Sequence, residues 1–530
     1  MFKNSKDKKL FIISILLLFL FIIFFATDAI NSMKYNIIDF DGAYNATVAA
    51  NMARYGKYMV SYPDNIIFYN IITTGPTVLL PTALLYYLFG ISNLTTVIIP
   101  LIYSIFDIIL IFIILYKCLK KIKYNALLAT IFTILLCLSD KIYIYISCHL
   151  IGESAALFFF LLTMLFLIMF TDKINNKYLF LAGGFLACSF LTKSSMIFIV
   201  VSLIGLLYIE WLFQKIKFRH LLSFCLGFLS FFCFIELFKL IQLGNISEYL
   251  NYWSNEWKNM LTQSSGINLK INFIDKFNYL EEIFGITSIV SLLITLLPLV
   301  SYIYIFIKRI FNKQVKLSSS FNSLLFISVA SSSLIIYFLL LGGNGLMYAR
   351  RHIVNSFTLK LVIIIGIIKF IYNKKIKFNK FISIVYLVSL LLILPFHTIK
   401  ENFKNMYEKE TEDTYKLTLM NNLEKTIEKL GDDIVIYTAG WWQEPSMHLS
   451  FPNLKMIDIY SNRYNVNNKT DNDYFLVGHA INDVNISDIE SFFEAKLIKV
   501  NNNHIDYKKN IDDYNREDFD LYSLYKIKRN

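Results

Sequence analysis

Long apolar runs alternate with short lysine-rich breaks along the first three quarters of the chain, and the pattern then gives way to polar sequence at about Thr398. The first run, Leu10–Ile30, follows Lys3, Lys6, Lys8 and Lys9. It is long enough to cross a hydrocarbon core about 30 Å thick, and the lysines before it place the amino terminus in the cytoplasm. A cleaved signal peptide would have a shorter apolar region and a small-x-small site, so the run is read as a membrane helix. Further apolar runs fall at approximately 96–116, 124–139, 153–171, 178–193, 195–213, 221–240, 285–307, 322–341, 356–372 and 380–397.

The breaks Lys117–Lys123, Asp172–Lys177, Gln214–His220, Lys308–Lys316 and Asn373–Lys380 come after every second crossing. All can therefore face the cytoplasm at once, as the inside-positive bias requires. One additional run, Gly75–Gly90, would reverse that parity if it crossed. It is short and contains Pro76 and Pro81, and it is read as a juxtamembrane or re-entrant helix. The expected architecture is an α-helical polytopic membrane protein of about 11 transmembrane helices plus this juxtamembrane helix. The chain is expected to end outside the cytoplasm.

After residue 397 the periodicities shorten. Asp413–Leu430 reads as an amphipathic helix, and Asp433–Gly440 as a buried strand ending in a turn. Apolar pulses at Lys455–Ile459, Tyr474–Val477, Ala495–Val500 and Leu521–Ile527 read as further strands. The expected division is a transmembrane domain, 1–397, followed by a small extracytoplasmic α/β domain, 398–530.

Composition agrees with the hydropathy pattern: 56% of the 530 residues are hydrophobic and only 17% charged. The formal charge of +12 sits in the short breaks between apolar runs, so it reports topology and not a nucleic-acid partner. Cys118, Cys137, Cys148, Cys188, Cys225 and Cys233 lie in or beside apolar runs without a CxxC pair, which suggests neither a disulfide framework nor a zinc site.

The same parity gathers polar chemistry on one side. Asp39 and Asp41 follow the first crossing, ahead of a segment in which Ala43, Ala46, Ala50 and Ala53 recur at helical spacing with Tyr44, Val48 and Met52. These acids are either solvated loop residues or carboxylates held over a cavity by a surface helix, where one could serve as general base toward a hydroxyl. Glu153 opens an apolar run on that face; it is a helix-end carboxylate or a functional acid at membrane depth. Lys193 interrupts two apolar runs on the side where the inside-positive bias does not explain it, though a snorkelling lysine would also fit. Arg350, Arg351 and His352 form the dense basic cluster of the outer face, suited to a phosphate of a substrate or of a lipid headgroup. Adjacent tryptophans in Ala439–Pro445 could stack on sugars, while packing or membrane contact is the plainer reading.

Taken in order, "DGAYNATVAANMARYGKY", "TTGPTVLLPTALLYYLFG", "GESAALFFFLLTMLFL", "FLACSFLTKSSMIFIV" and the late outer-loop arginines resemble the lipid-carrier-dependent glycosyltransferases of superfamily C (GT-C). The nearest branch is that of the protein O-mannosyltransferases and aminoarabinose transferases, and the resemblance covers roughly residues 10–372. Members often carry Asp-Glu at the first site, whereas Gly42 follows Asp41 here. Asp41 is thus the better match and Asp39 a substitute.

The resemblance implies a polyprenyl-phosphate-linked sugar donor and an envelope glycan, lipid or protein acceptor, used on the extracytoplasmic face of the plasma (inner) membrane. Asp41 or Asp39 would be catalytic, and Glu153, Lys193, Arg350, Arg351, His352 and Tyr44 would bind substrate. Related enzymes can use a divalent metal; this outer face has no clear three-ligand cluster, and no metal or other cofactor is assigned. A transporter or flippase, or a glycan polymerase or ligase, is the alternative; a transporter should show pseudo-repeated halves and helices broken at the midplane. A non-catalytic envelope scaffold would leave the gathered acids and bases unexplained.

Overall fold

The computed structural model describes residues 5–35, 40–61, 66–69, 72, 74–120, 122, 124–213, 216–262, 272–284, 288–311, 319–340, 348–372, 412–431, 433–438, 447, 449–459, 472–477, 486–500 and 523–529. The apolar runs form helices. These are α1 (Ser5–Tyr35), α4 (Asn93–Cys118), α5 (Asn125–Leu138), α7 (Glu153–Asp172), α8 (Asn176–Thr192), α9 (Ile197–Leu212), α10 (Phe218–Leu243), α13 (Ser288–Phe311), α14 (Ser319–Leu340) and α15 (Ile353–Tyr372). Between them lie α2 (Phe40–Tyr55), α3 (Pro76–Phe89), α6 (Lys141–Ser147), α11 (Ile246–Thr262) and α12 (Phe273–Phe284).

Among the described residues six helices are long and apolar enough to cross a membrane, or seven if the bent pair α12–α13 is one span. The expected runs coincide with helices except the last, 380–397, which lies outside the described residues. The Gly75–Gly90 run is the 14-residue α3, begun by Pro76 and ended by Gly90 at φ +80°. At 1.5 Å per residue it spans only about 21 Å, too short to cross unaided.

Burial sorts the bundle. The apolar window of α15 is 89% buried, whereas those of α1 and α10 are 22% buried and present residues such as Phe19, Leu20 and Phe234 outward. In a membrane such faces meet lipid tails at no hydrophobic cost. Close packing replaces the hydrophobic effect there: a Cβ on Gly183 would stand 2.0 Å from the Phe224 carbonyl oxygen, and one on Gly227 would stand 1.9 Å from that of Phe180. These glycines let α8 and α10 touch backbone to backbone.

Hairpin connectivity alternates the helix ends. The carboxyl ends of α1, α8 and α10 and the amino ends of α7, α9 and α15 lie together, and the described lysine-bearing breaks after α4 and α7 and before α10 lie at the other end. At the first end a second core forms, in which Tyr44, Ala46, Val48, Ala49 and Ala50 of α2 pack with Tyr58, Phe68, Val78, Leu79, Ala83 and Tyr86.

The carboxyl-terminal segment supplies α16 (Glu412–Leu430), α17 (Ile486–Phe493) and strands β1 (Val435–Thr438), β2 (Lys455–Asp458), β3 (Asp473–Val477), β4 (Ala495–Lys499) and β5 (Ser523–Arg529). They form one sheet in the order β2-β1-β3-β5-β4, parallel from β2 to β3 and antiparallel beyond. Leu423 and Ile427 of α16 cover one face, and Ile489 and Phe493 of α17 the other. This segment meets the α2 end of the bundle, where Arg54 Nη2 donates to the Leu449 carbonyl at 3.1 Å and Leu449 joins the second core.

Candidate active site at the end of the helical bundle

Four residues remote in sequence meet at the bundle end that carries α2. Asp41 lies in the first turn of α2, Glu153 in the first turn of α7, and Lys193 caps the carboxyl end of α8. Arg350 sits in a 3-10 turn, Ala349–His352, that leads into α15. Arg350 Nη2 donates to Asp41 Oδ2. Glu153 Oε1 lies 3.7 Å from Arg350 Nε and 3.1 Å from Lys193 Nζ. The charges thus alternate in a chain: Asp41, Arg350, Glu153, Lys193.

Local sequence explains why each side chain is there. Gly152 precedes Glu153, and a Cβ on it would stand 3.0 Å from Lys193 Cε, so a small residue lets the lysine lie across the start of α7. The amino end of α7 carries positive partial charge, which favours Glu153 in its ionised form. Gly75 approaches even closer to the end of α8: its N–H donates to the Thr192 carbonyl at 3.0 Å, and a Cβ there would stand 1.6 Å from the Leu191 carbonyl oxygen. Asn45 Nδ2 donates to Thr74 Oγ1 at 3.0 Å and to the Leu150 carbonyl at 2.8 Å, and so ties the turn of α2 next to Asp41 to both loops.

Arg351 extends the basic side. Its guanidinium stands 5.4 Å from the centre of the Tyr348 ring, and that of Arg350 stands 5.1 Å from the same ring. With Lys193 these gather three cations around Asp41 and Glu153, both of which act on Arg351 as well. Arg350 Nε is also buried without a hydrogen-bond acceptor, although Nη2 is engaged and Nη1 reaches the Tyr145 hydroxyl at 3.5 Å. Both Glu153 carboxylate oxygens are likewise buried without a hydrogen-bond donor, so polar groups of both signs are left over here, and a guanidinium fork has the geometry to hold phosphate oxygens.

Other expected site residues fall elsewhere. His352 is fully buried, its ring 5.2 Å from Phe338 and its Nδ1 3.5 Å from Asn355 Nδ2, within the packing of α14 and α15. Tyr44 is buried in the second core one turn after Asp41. Asp39 and the Ala439–Pro445 tryptophan motif lie outside the described residues. Asn45, Tyr145 and Tyr348 were not anticipated; an Asn and two Tyr in membrane-edge sequence carry no local signal of their own. The cysteines are free, and among the described residues no three His, Cys, Asp or Glu gather in a way that could hold a metal ion.

No protein-family model matches the chain, and no curated protein matches it. Solved structures do. ArnT from Cupriavidus metallidurans bound to undecaprenyl phosphate aligns at a TM-score of 0.50 and 12% identity, over 83% of this chain and 86% of that one. The apo state of the same ArnT aligns at 0.48 and 12%, over 83% and 84%. The oligosaccharyltransferase AglB from Archaeoglobus fulgidus aligns at 0.45 and 12%, over 83% of this chain and 64% of its own. The likeness to ArnT is one of fold, and it is the fold that the sequence resemblance implied.

Proposed function

We propose that the chain is an integral membrane glycosyltransferase that moves a sugar from a polyprenyl-phosphate carrier to a cell-envelope acceptor. The observation that carries this reading is the ion-pair chain Asp41–Arg350–Glu153–Lys193, with the Arg350 Nε donor lacking an acceptor, at one end of an apolar bundle. A polyprenyl tail can lie against apolar helices while its phosphate reaches that end. The ArnT structure of the same fold is named for its bound undecaprenyl phosphate, which supports a carrier of that class.

In this reading the donor phosphate draws Arg350 away from Asp41 and, with Lys193 and Arg351, takes over its hydrogen bonds. Asp41 is then open to accept the proton of an acceptor hydroxyl as that oxygen attacks the anomeric carbon. The bond from that carbon to the phosphate oxygen breaks, and its electron pair leaves with the polyprenyl phosphate. Each well-placed donor to that leaving group is worth about 3 kcal/mol. A single displacement inverts the anomeric centre, whether the sugar is a hexose or a pentose. Glu153 holds Lys193 and Arg350 in register between the two.

The lysine breaks support an extracytoplasmic site in the plasma (inner) membrane with the amino terminus inside. The Arg54–Leu449 contact supports residues 398–530 as a separate domain on the same side. The test is binding of undecaprenyl phosphate to the purified full-length protein, followed by transfer from a synthetic short-chain polyprenyl-phosphate sugar. Lys193→Gln and Arg350→Gln should each weaken phosphate binding. Wild-type protein that fails to bind undecaprenyl phosphate, or binding unchanged in both variants, overturns the reading.

A further inference from the structure

Between the helical bundle and the carboxyl-terminal segment lies an open cleft whose charges the ion-pair chain does not use. It is lined by Arg54 from the last turn of α2, by Tyr86, Tyr87 and Asn93 around the corner from α3 to α4, and by Glu424 of α16 and Ser450. Its volume is about 670 Å³. A closed cavity of about 150 Å³ already holds benzene, so space does not limit a ligand of several polar groups here. Arg54 is also remote from the proposed base: 13 helical residues at 1.5 Å each put it about 20 Å from Asp41 along α2.

Arg54 and Glu424 come from different walls and are anchored by successive residues. Arg54 Nη2 donates to the Leu449 carbonyl at 3.1 Å, and Glu424 Oε1 accepts from the Ser450 hydroxyl at 2.6 Å. Consecutive Cα atoms are about 3.8 Å apart, so a cation and an anion are anchored one residue from each other. They form no ion pair, with each other or with any other described residue. The remaining guanidinium N–H groups and Glu424 Oε2 likewise have no hydrogen-bond partner among the described residues. Burial lowers the pKa of the Arg54 guanidinium, so an incoming anion would offset what burial costs it.

One wall of the cleft continues into a surface suited to lipid. Leu84, Tyr87 and Leu88 fall on one stripe of α3 at i, i+3 and i+4, and with Phe89 and Leu94 they are exposed. A short helix with an exposed apolar and aromatic face lies where lipid tails meet headgroups. The corner from α3 to α4 that frames the cleft is therefore at headgroup depth.

We propose that this cleft binds the headgroup of a zwitterionic phospholipid that carries a primary amine. Its phosphate takes the free donors of Arg54, its ammonium donates to Glu424, and its chains lie along Leu84, Tyr87 and Leu88. A choline headgroup has no N–H to donate, and a glycerol headgroup brings no cation, so each matches only half of the charged pair. Bound in this way the lipid joins the bundle to the carboxyl-terminal segment. The inference goes beyond the glycosyltransferase reading and stands apart from whatever ligand the ion-pair chain takes.

The test is native mass spectrometry of the full-length protein released from nanodiscs of equal parts phosphatidylethanolamine, phosphatidylcholine and phosphatidylglycerol. Wild type is expected to keep phosphatidylethanolamine in preference to the other two. Arg54→Gln should lower its retention about tenfold, the size of one charge-assisted hydrogen bond, and Arg54→Lys should recover part of that. Glu424→Gln should keep lipid but lose the preference for ethanolamine over choline. If Arg54→Gln does not fold, Arg54→Lys and Glu424→Gln decide the matter. Glycerophosphoethanolamine, the same headgroup without chains, should displace the lipid poorly; displacement as strong as by the lipid itself would assign the cleft to a free phosphoester and overturn the proposal. No retained lipid in wild type, or the same lipids retained by wild type and the folded variants, overturns it as well. Undecaprenyl-phosphate binding, measured on the same samples, should be equal in all of these proteins, and its absence from wild type would overturn the glycosyltransferase reading alone.

Discussion

Two buried ionic groups occupy the same end of the helical bundle, and they differ in how completely they are satisfied. Asp140 Oδ1 accepts from the backbone N–H groups of Ile142 and Tyr143 at 3.1 and 3.2 Å and so caps α6, while its Oδ2 takes Lys360 Nζ at 3.0 Å. Both side chains are sealed, at 4% and 3% exposure. Across the Asp41–Arg350 pair, by contrast, the side chains are 28% and 17% exposed and the Arg350 Nε donor lacks an acceptor. A closed pair fastens α6 to α15. The open chain is the one that the proposed function gives to the donor phosphate, because a charge that is removed from water without full compensation gains most from an incoming counter-charge.

The comparison is broken most severely at Lys360. Removing one partner of a sealed pair leaves a lone buried charge, so Lys360→Met should cost about 3–5 kcal/mol of stability. Thermal unfolding of the purified protein measures this. Adding Asp140→Asn should recover most of the loss, because Asn still offers Oδ1 to cap α6 without a charge. Folded protein from the double variant should retain the wild-type dependence on undecaprenyl phosphate. A shift in phosphate affinity there would make the sealed pair part of the site.

At the open chain the effects should reverse: small on folding and large on donor use. Arg350→Gln removes both the fork and the charge, and transfer should fall by about 10²–10³. Arg350→Lys keeps a point charge and should lose less. Asp41→Asn should bind donor as wild type does and turn over about 100-fold more slowly, the scale of a positioned base. The readout is initial rate against donor concentration, with matched amounts of folded protein. Wild-type turnover in Asp41→Asn would move the proton to another group.

Most of this architecture could be read from periodicity, for a physical reason. In lipid the backbone must satisfy itself within helices, so apolar length announces each element, and lysine placement announces its ends. The strands β1–β5 were likewise visible as short apolar pulses between polar turns. What escaped were the short helices α6 and α17 and the longer α11 and α12, in which apolar residues such as Leu250, Trp253 and Leu280 alternate with many polar ones and resemble a loop on a hydropathy count. Sidedness alone gathered Asp41, Glu153, Lys193 and Arg350 onto one face. Their pairing did not follow from it: Asp41 and Arg350 are 309 residues apart, and no local pattern encodes a contact of that range. The unexpected outcome is that the expected base and an expected phosphate ligand hold each other, so that under the proposed function donor binding is the event that releases the base.

Gly75 tests how tightly the frame constrains the chain. Gly75→Ala would drive a Cβ into the Leu191 carbonyl, and backbone there cannot swing aside as a side chain can. The entry to α3 must then separate from the end of α8, which carries Lys193. Donor affinity should fall by about tenfold, roughly 1.4 kcal/mol, through displacement of Lys193 and not through any lost contact of Gly75 itself. Unchanged affinity in Gly75→Ala would mean that α3 can shift without moving Lys193.

The smallest effect should come from Tyr348, which supports the open chain from outside. Both guanidinium groups stand over its ring, at 5.1 and 5.4 Å, and the residue is exposed to solvent. Cation–π contacts at exposed positions contribute about 0.5–1 kcal/mol, so Tyr348→Leu should weaken undecaprenyl-phosphate binding only about two- to fivefold. Tyr348→Phe keeps the ring face and should bind nearly as wild type does. The pair of variants separates the face of the ring from its hydroxyl. If Tyr348→Phe loses as much as Tyr348→Leu, the hydroxyl is the working group and the ring is not what steadies the arginines. If Tyr348→Leu loses as much as Arg350→Gln, Tyr348 belongs inside the phosphate site, and the difference drawn between open chain and support disappears.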